Sequence, residues 1–189
     1  GIKQVRALGL DAMEFEFVQS VHVNEKLAPE VKKLAKDLNV VLTCHGQYFV
    51  NLAAIESAKY HASIARMLAA AKRVYECGGY SITWHMGYYL GRPKDKVHEM
   101  VVKGVKEVVS KLKEENIDIW IRPETTGKET QWGDLKETIK LSQEVEGVLP
   151  CVDFGHLHAR YNGTNNTFEE FKGILAQIET GLGREALNN

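Results

Sequence analysis

Five side chains in this 189-residue chain have the types and spacing for metal chemistry: His45, His85, Glu124, Asp153 and His156. His45, His85, Glu124 and Asp153 each close a short, mostly apolar run, at residues 40–44, 80–84, 117–123 and 147–152 respectively. His156 and His158 follow three and five residues after Asp153. A lone histidine at the end of a strand is more often a hydrogen-bonded polar residue than a ligand. The recurrence is what carries weight, because 40, 39 and 29 residues separate His45, His85, Glu124 and Asp153 in turn. Two imidazoles and two carboxylates brought to one place can hold one or two divalent cations, with a carboxylate bridging the pair against their repulsion.

Other residues on the same loops are weaker candidates. Gln47, Tyr48, Phe49, Tyr88, Tyr89 and Trp132 can form a stacking surface for a base or a sugar, or can pack their own loops. His22 follows the first strand and can reach the same face. His158 competes with His156 for one role, and His61 and His98 fall inside helical segments as surface or helix-packing residues.

The elements that must position these residues alternate strictly. Residues 2–8 form the tail of a helix, and residues 10–18 a strand in which Phe15 and Phe17 alternate with Glu14 and Glu16. Helices follow over about 30–38, 55–77, 94–115 and 132–146, with another from Thr167, an N-cap with Glu170 at capping-box distance. Strands at 40–45, 80–85, 117–124 and 147–152 lie between them, the last followed by a loop. This alternation predicts a parallel sheet with right-handed crossovers in one domain over 1–189. A Gly-rich phosphate loop is missing after every strand, which favours a (β/α)8 barrel over an open doubly wound sheet. A barrel of ~250 residues allots about 31 to each of its eight units, and its strand ends converge on the face where active sites are found. Strand alternation places His45 and Thr43 inward, with Leu42 and Cys44 toward the helices. The same rule turns Arg122 and Trp120 inward beside Glu124. Either Pro123 shifts the phase, or Arg122 is a counter-charge.

Composition bounds the rest. Values of 44% apolar and 26% charged residues are ordinary for a globular domain, and a net charge of −1 gives no global basic field. No run approaches the roughly 18 apolar residues of a membrane span. Three widely spaced cysteines, without a secretory signal, read as reduced thiols in the cytoplasm. The chain begins at Gly1, has its first methionine at Met13, and supplies five strands where a barrel needs eight. The expectation is an incomplete barrel belonging to a longer protein that acts as a monomer.

Four pieces together give a resemblance: His45-Gly-Gln-Tyr-Phe-Val-Asn-Leu52, His85-Met-Gly87, Glu124-Thr-Thr-Gly127 and Cys151-Val-Asp-Phe-Gly-His156. In order and near spacing they resemble the endonuclease IV family of apurinic/apyrimidinic endonucleases, within the xylose-isomerase-like barrel superfamily. The resemblance implies a (β/α)8 barrel and up to three zinc ions. His45, His85 and Glu124 would hold the first, Glu124 would bridge to a second held partly by Asp153, and His156 would belong to a third. It implies DNA containing abasic sites as the partner, hydrolysis of the phosphodiester 5′ to the lesion, and Tyr48 as the tyrosine pushed toward the DNA. Met86 stands where the family has proline, Thr125 where it has asparagine, and the loop after the first strand lacks the family's basic DNA-reading segment. The same superfamily contains metal-dependent sugar isomerases and epimerases, which gives a second expectation. A barrel that binds without catalysis gives a third.

Overall fold

Parallel strands cannot be joined by hairpins, so each needs a crossover that returns the chain to the same end of the sheet. The computed structural model, which describes residues 1–188, is built this way. In chain order it runs α1 (Ile2–Ala7), β1 (Ala12–Glu16), α2 (Ala28–Asp37), β2 (Val41–His45), α3 (Ser57–Glu76), β3 (Ser81–Trp84) and β4 (Gly87–Tyr88). It continues with α4 (Lys94–Glu114), β5 (Trp120–Pro123), β6 (Gln131–Trp132), α5 (Leu135–Glu144), α6 (Phe154–Arg160), α7 (Phe168–Leu182) and a final 3-10 turn (Arg184–Asn188).

The main sheet is parallel, in the order β1-β2-β3-β5. Each new strand joins on the same side of the last, without the reversal of order that defines a doubly wound sheet. These are consecutive staves of a barrel wall. Leu42, Cys44, Ile82, Trp84 and Ile121 point to the helices and are at most 1% exposed. Leu42 packs with Val40 and with Ala35 of α2, while against the others pack Met67, Ala70, Ala71 and Val74 of α3 and Val101, Val105 and Val108 of α4. The opposite face is polar. Glu14 pairs in register with Thr43, and Thr83 with Arg122. The Thr43 hydroxyl donates to Glu14 at 3.2 Å, and the Thr83 hydroxyl to the Arg122 carbonyl at 2.9 Å.

Register settles the question of phase at Arg122. Trp84 pairs with Pro123 directly after Thr83 with Arg122, so Pro123 shifts nothing and Arg122 does face inward. Its guanidinium lies 5.9 Å from the Tyr80 ring centroid and 6.0 Å from that of Trp120, within cation–π range.

Two sequence expectations need correction. The strand expected at 147–152 is reduced to two isolated bridges, Ile121 with Val148 and Glu124 with Cys151. Ile121 donates to Gly147 and Leu149 to Ile121, and further along Cys151 donates to Pro123 and Thr125 to Cys151. The rung between these pairs would be donated by residue 123, and a proline has no N–H. The loop expected after Asp153 is helical, so His156 and His158 belong to α6. The loops after β3 and β5 also pair with each other, as the antiparallel strands β4 and β6. The capping box at Thr167 and Glu170 forms as expected, and Asp134 with Glu137 makes another at α5.

Gly46 is required by a close approach. A Cβ built there would fall 1.8 Å from Nε1 of the buried Trp84. Gly46→Ala should therefore lower stability by about 1–3 kcal/mol, the usual cost of overpacking, as read by urea denaturation. A midpoint equal to that of the parent would contradict the packing described.

Glu170 is held down at about 2, first by the Asn165 N–H at 3.0 Å, then by the Thr167 hydroxyl at 2.8 Å and the Asn166 N–H at 3.0 Å. A depressed folded-state value gives stability that is present above the ordinary carboxyl value and lost as pH falls through about 2. Thermal melts of the parent and Glu170→Gln should differ modestly at pH 6 and converge near pH 2. A gap that is constant with pH would rule the cap out as its cause.

Candidate metal centre

The candidate residues come from successive strand ends, and the register fixes their heights. His45 is the last residue of β2 and pairs with Thr83, while His85 and Glu124 directly follow β3 and β5. The Glu124 N–H donates to the Trp84 carbonyl at 3.0 Å, which keeps Glu124 on the ladder. Asp153 is the N-cap of α6, and its Oδ1 accepts from the His156 N–H at 2.7 Å.

Glu124, only 6% exposed, is the centre of the cluster. Its Oε2 lies 3.1 Å from Nε2 of His45 and 3.1 Å from Nε2 of His85, and its Oε1 lies 3.2 Å from Nδ1 of His156. His156 Nδ1 is also 3.5 Å from Asp153 Oδ2. The rings of His45 and His85 are 5.9 Å apart, and those of His85 and His156 5.2 Å.

Burial pushes the Glu124 carboxyl up, but His45 and His85 beside it outweigh burial and hold it down at about 2. Burial likewise favours neutral His45, yet the Glu124 carboxylate and the Gly46 carbonyl overcome it and raise the imidazole above its ordinary value. A cation at this point would satisfy the same carboxylate.

The outer hydrogen bonds set which ring nitrogen is left to bind. His45 Nδ1 lies 2.8 Å from the Gly46 carbonyl and donates to it, so in the neutral ring the lone pair is on Nε2, toward Glu124. His156 differs, because the same Nδ1 lies 2.9 Å from the Thr125 carbonyl and 3.2 Å from Glu124 Oε1, so the nitrogen that faces the cluster is the one beside the backbone oxygen. Such partners orient metal-binding histidines generally. His85 Nε2 is buried and near Glu124, but makes no well-directed hydrogen bond. An orphaned imidazole nitrogen beside a carboxylate fits a cation between them.

Among the described residues, two overlapping groups bring their donor atoms within 4.8 Å of one another: His45 with His85 and Glu124, and Glu124 with Asp153 and His156. Nitrogen and carboxylate donors in these sets suit zinc or a similar divalent ion.

The rim candidates divide. Tyr48 is 57% exposed, with its ring 5.4 Å from that of His45. Gln47 is buried, so it offers little to a ligand. Trp132, expected to face a substrate, is fully buried, and its Nε1–H donates to Nδ1 of the buried His98 at 3.3 Å. Pairing of β4 with β6 turns the indole into the core, and a two-residue strand leaves no periodicity by which to foresee that. The other histidines stay outside the cluster. His158 donates to the Thr164 carbonyl, His22 meets the edge of Phe17, and His61 that of Tyr60.

Two further residues matter: Thr125, which the sequence marks only as a departure from the family's asparagine, and Arg160, which it does not single out. The Thr125 hydroxyl donates to the Asp153 carbonyl at 3.1 Å and accepts from the Asp153 N–H at 2.8 Å, fastening the start of α6 to the end of β5. Arg160 is buried at the other end of α6. Its placement in a helix facing the 124–132 loop was hidden while residues after 153 read as a loop.

Residues 2–181 match the family described as xylose isomerase-like TIM barrels. An uncharacterized protein of Methanocaldococcus jannaschii is 38% identical over 185 residues, covering 98% of this chain and 66% of its own length. A probable endonuclease 4 of Mycoplasma pneumoniae is 27% identical over 151 residues, which cover 77% of this chain and 50% of that protein. The chain therefore spans between half and two thirds of these relatives. Among solved structures, endonuclease IV from Thermus thermophilus superposes with a TM-score of 0.77 at 20% identity, over 98% of this chain and 67% of that one. D-Psicose 3-epimerase from Clostridium cellulolyticum gives 0.74 at 19% identity, over 96% and 64%. At these identities the structures share the fold, in endonuclease and epimerase alike. No helix among the described residues is long and apolar enough to cross a membrane. With the strand order, the inward polar face and the matched span in agreement, the chain belongs to the xylose isomerase-like TIM barrel family.

Proposed function

We propose that this chain carries the metal-binding wall of a zinc-dependent phosphodiesterase that cleaves DNA 5′ to abasic sites, acting in the cytoplasm. The observation that carries the reading is the division of labour at Glu124. One carboxylate oxygen faces His45 and His85 and the other faces His156, the arrangement of a carboxylate shared between two cations.

His45, His85 and Glu124 would hold one ion, and Glu124, Asp153 and His156 would contribute to others, up to three zinc ions in the protein. When bound, these ions supply Lewis acidity that stabilises charge building on the phosphoryl oxygens. Within the chain, the Gly46 carbonyl keeps His45 Nε2 directed toward Glu124, and the Thr125 carbonyl holds the His156 ring with its Nδ1 beside Glu124. Tyr48, exposed beside His45, would meet the nucleotide extruded from the duplex. The 27% identity to a probable endonuclease 4 supports the same reading.

A second reading is a metal-dependent sugar epimerase using Glu124, Asp153 and His156. One observation favours it: the stretch after β1, residues 17–27, offers a single cation, Lys26, beside Glu25. DNA affinity rests largely on phosphate contacts by Lys and Arg.

Metal analysis of the purified protein should find zinc or a similar divalent ion, and His45→Ala and Glu124→Ala should each lose at least one equivalent. Unchanged metal content in both variants would sink the ligand assignment. A duplex with a single abasic site should be nicked on the 5′ side of the lesion. Failure to nick with zinc, manganese or cobalt, together with epimerisation of a free ketose, would transfer the proposal to the sugar enzymes.

A further inference from the structure

Arg160 is 3% exposed, yet each of its hydrogen bonds goes to a neutral oxygen. Nη1 donates to the Lys128 carbonyl at 2.7 Å, the Thr126 hydroxyl at 2.9 Å and the Gln131 carbonyl at 3.1 Å. Nη2 donates to the Gln131 carbonyl at 3.1 Å and approaches the Tyr89 hydroxyl at 3.5 Å. That hydroxyl in turn donates to Glu137, 2.7 Å from either oxygen, and Glu137 also accepts from the N–H groups of Gly133 and Asp134. One guanidinium thus gathers the loop that begins at Glu124 and ties it to the last turn of the helix that begins at Asp153. Burying an arginine is costly unless its donors are used, so the loop's carbonyls and the arginine need each other.

We infer that Arg160 is a positioning residue for the Glu124, Asp153 and His156 half of the metal centre. The inference rests on the proposal that these residues bind metal. Its basis is the end of the backbone pairing at Cys151, two residues before Asp153. β5 and the segment before α6 are joined by two separate bridges on either side of Pro123. The second bridge holds Glu124 to Cys151 by backbone, and beyond it the placement of Asp153 and His156 depends on side chains, with Thr125 at the near end of α6 and Arg160 at the far end. The other half of the centre has no such dependence. His45 sits on β2, His85 follows β3, and Glu124 is fixed to β3 through the Trp84 carbonyl.

The expected effect is therefore selective. Zinc titration of the intact apo-protein, followed by calorimetry, should resolve a site that requires His85 and a site that requires Asp153, identified with His85→Ala and Asp153→Ala. Arg160→Met should weaken the Asp153-dependent site by about tenfold, as loss of supporting hydrogen bonds commonly does, and leave the other within twofold. Arg160→Lys should recover part of the loss. A folded Arg160→Met protein that binds at both sites like the parent would overturn the inference while leaving the metal proposal intact. Equal weakening at both sites would also overturn it, by showing a general loss of structure. If Arg160→Met does not fold, Arg160→Lys decides in the same way, and parental affinity at both sites refutes the role. A parent protein that takes up no zinc would refute the metal proposal itself, and the inference with it.

Discussion

A carboxylate withdrawn from water among three imidazoles is the constraint on which the rest depends. Burial pushes the Glu124 carboxyl up, and the rings of His45 and His85 hold it down, with His156 against its other oxygen. Each of those rings arrives on a different element, so the cluster exists only if β2, β3, β5 and α6 keep their register. The parallel ladder supplies that for the first three. For α6 the work passes to a threonine and an arginine.

The helix-facing side of the sheet supports the cluster from below. Trp84 lies directly before His85, fully buried, and its indole presses against the backbone at Gly46, next to His45. The core and the site are therefore in contact through one ring. On the other side the inward layer is polar, with Glu14, Thr43, Thr83 and Arg122 beneath the ligand level. A face of this kind suits a barrel interior that leads to charged chemistry at its mouth.

Much of this was legible in the sequence, for a physical reason. Strand parity is strict, so His45, Thr43, Leu42 and Cys44 could be sorted to their faces without a structure. Glu124 and the first two histidines could be placed at strand ends because apolar runs stop there. Reading failed where short elements follow contacts rather than periodicity. Seven residues of helix after Asp153 carry too little pattern to separate from a loop, and so Arg160 went unnoticed. Trp132 looked like a rim aromatic because nothing local announces the pairing of β4 with β6. Pro123 was weighed as a shift of phase, whereas its effect is on the neighbouring strand, through a hydrogen bond it cannot donate.

The end of backbone pairing just short of Asp153 has a consequence for how such a site can diverge. Where backbone ladders set the distance between two ligands, changing it means rebuilding a sheet. Here backbone pairing ends with Glu124 and Cys151, and the last step to the Asp153–His156 pair rests on side chains at positions 125 and 160, which are replaced one at a time. A barrel with this seam can alter the separation between neighbouring cations while its other strands keep their register, so substitutions along the seam offer a route from one metal-dependent chemistry to another on the same wall.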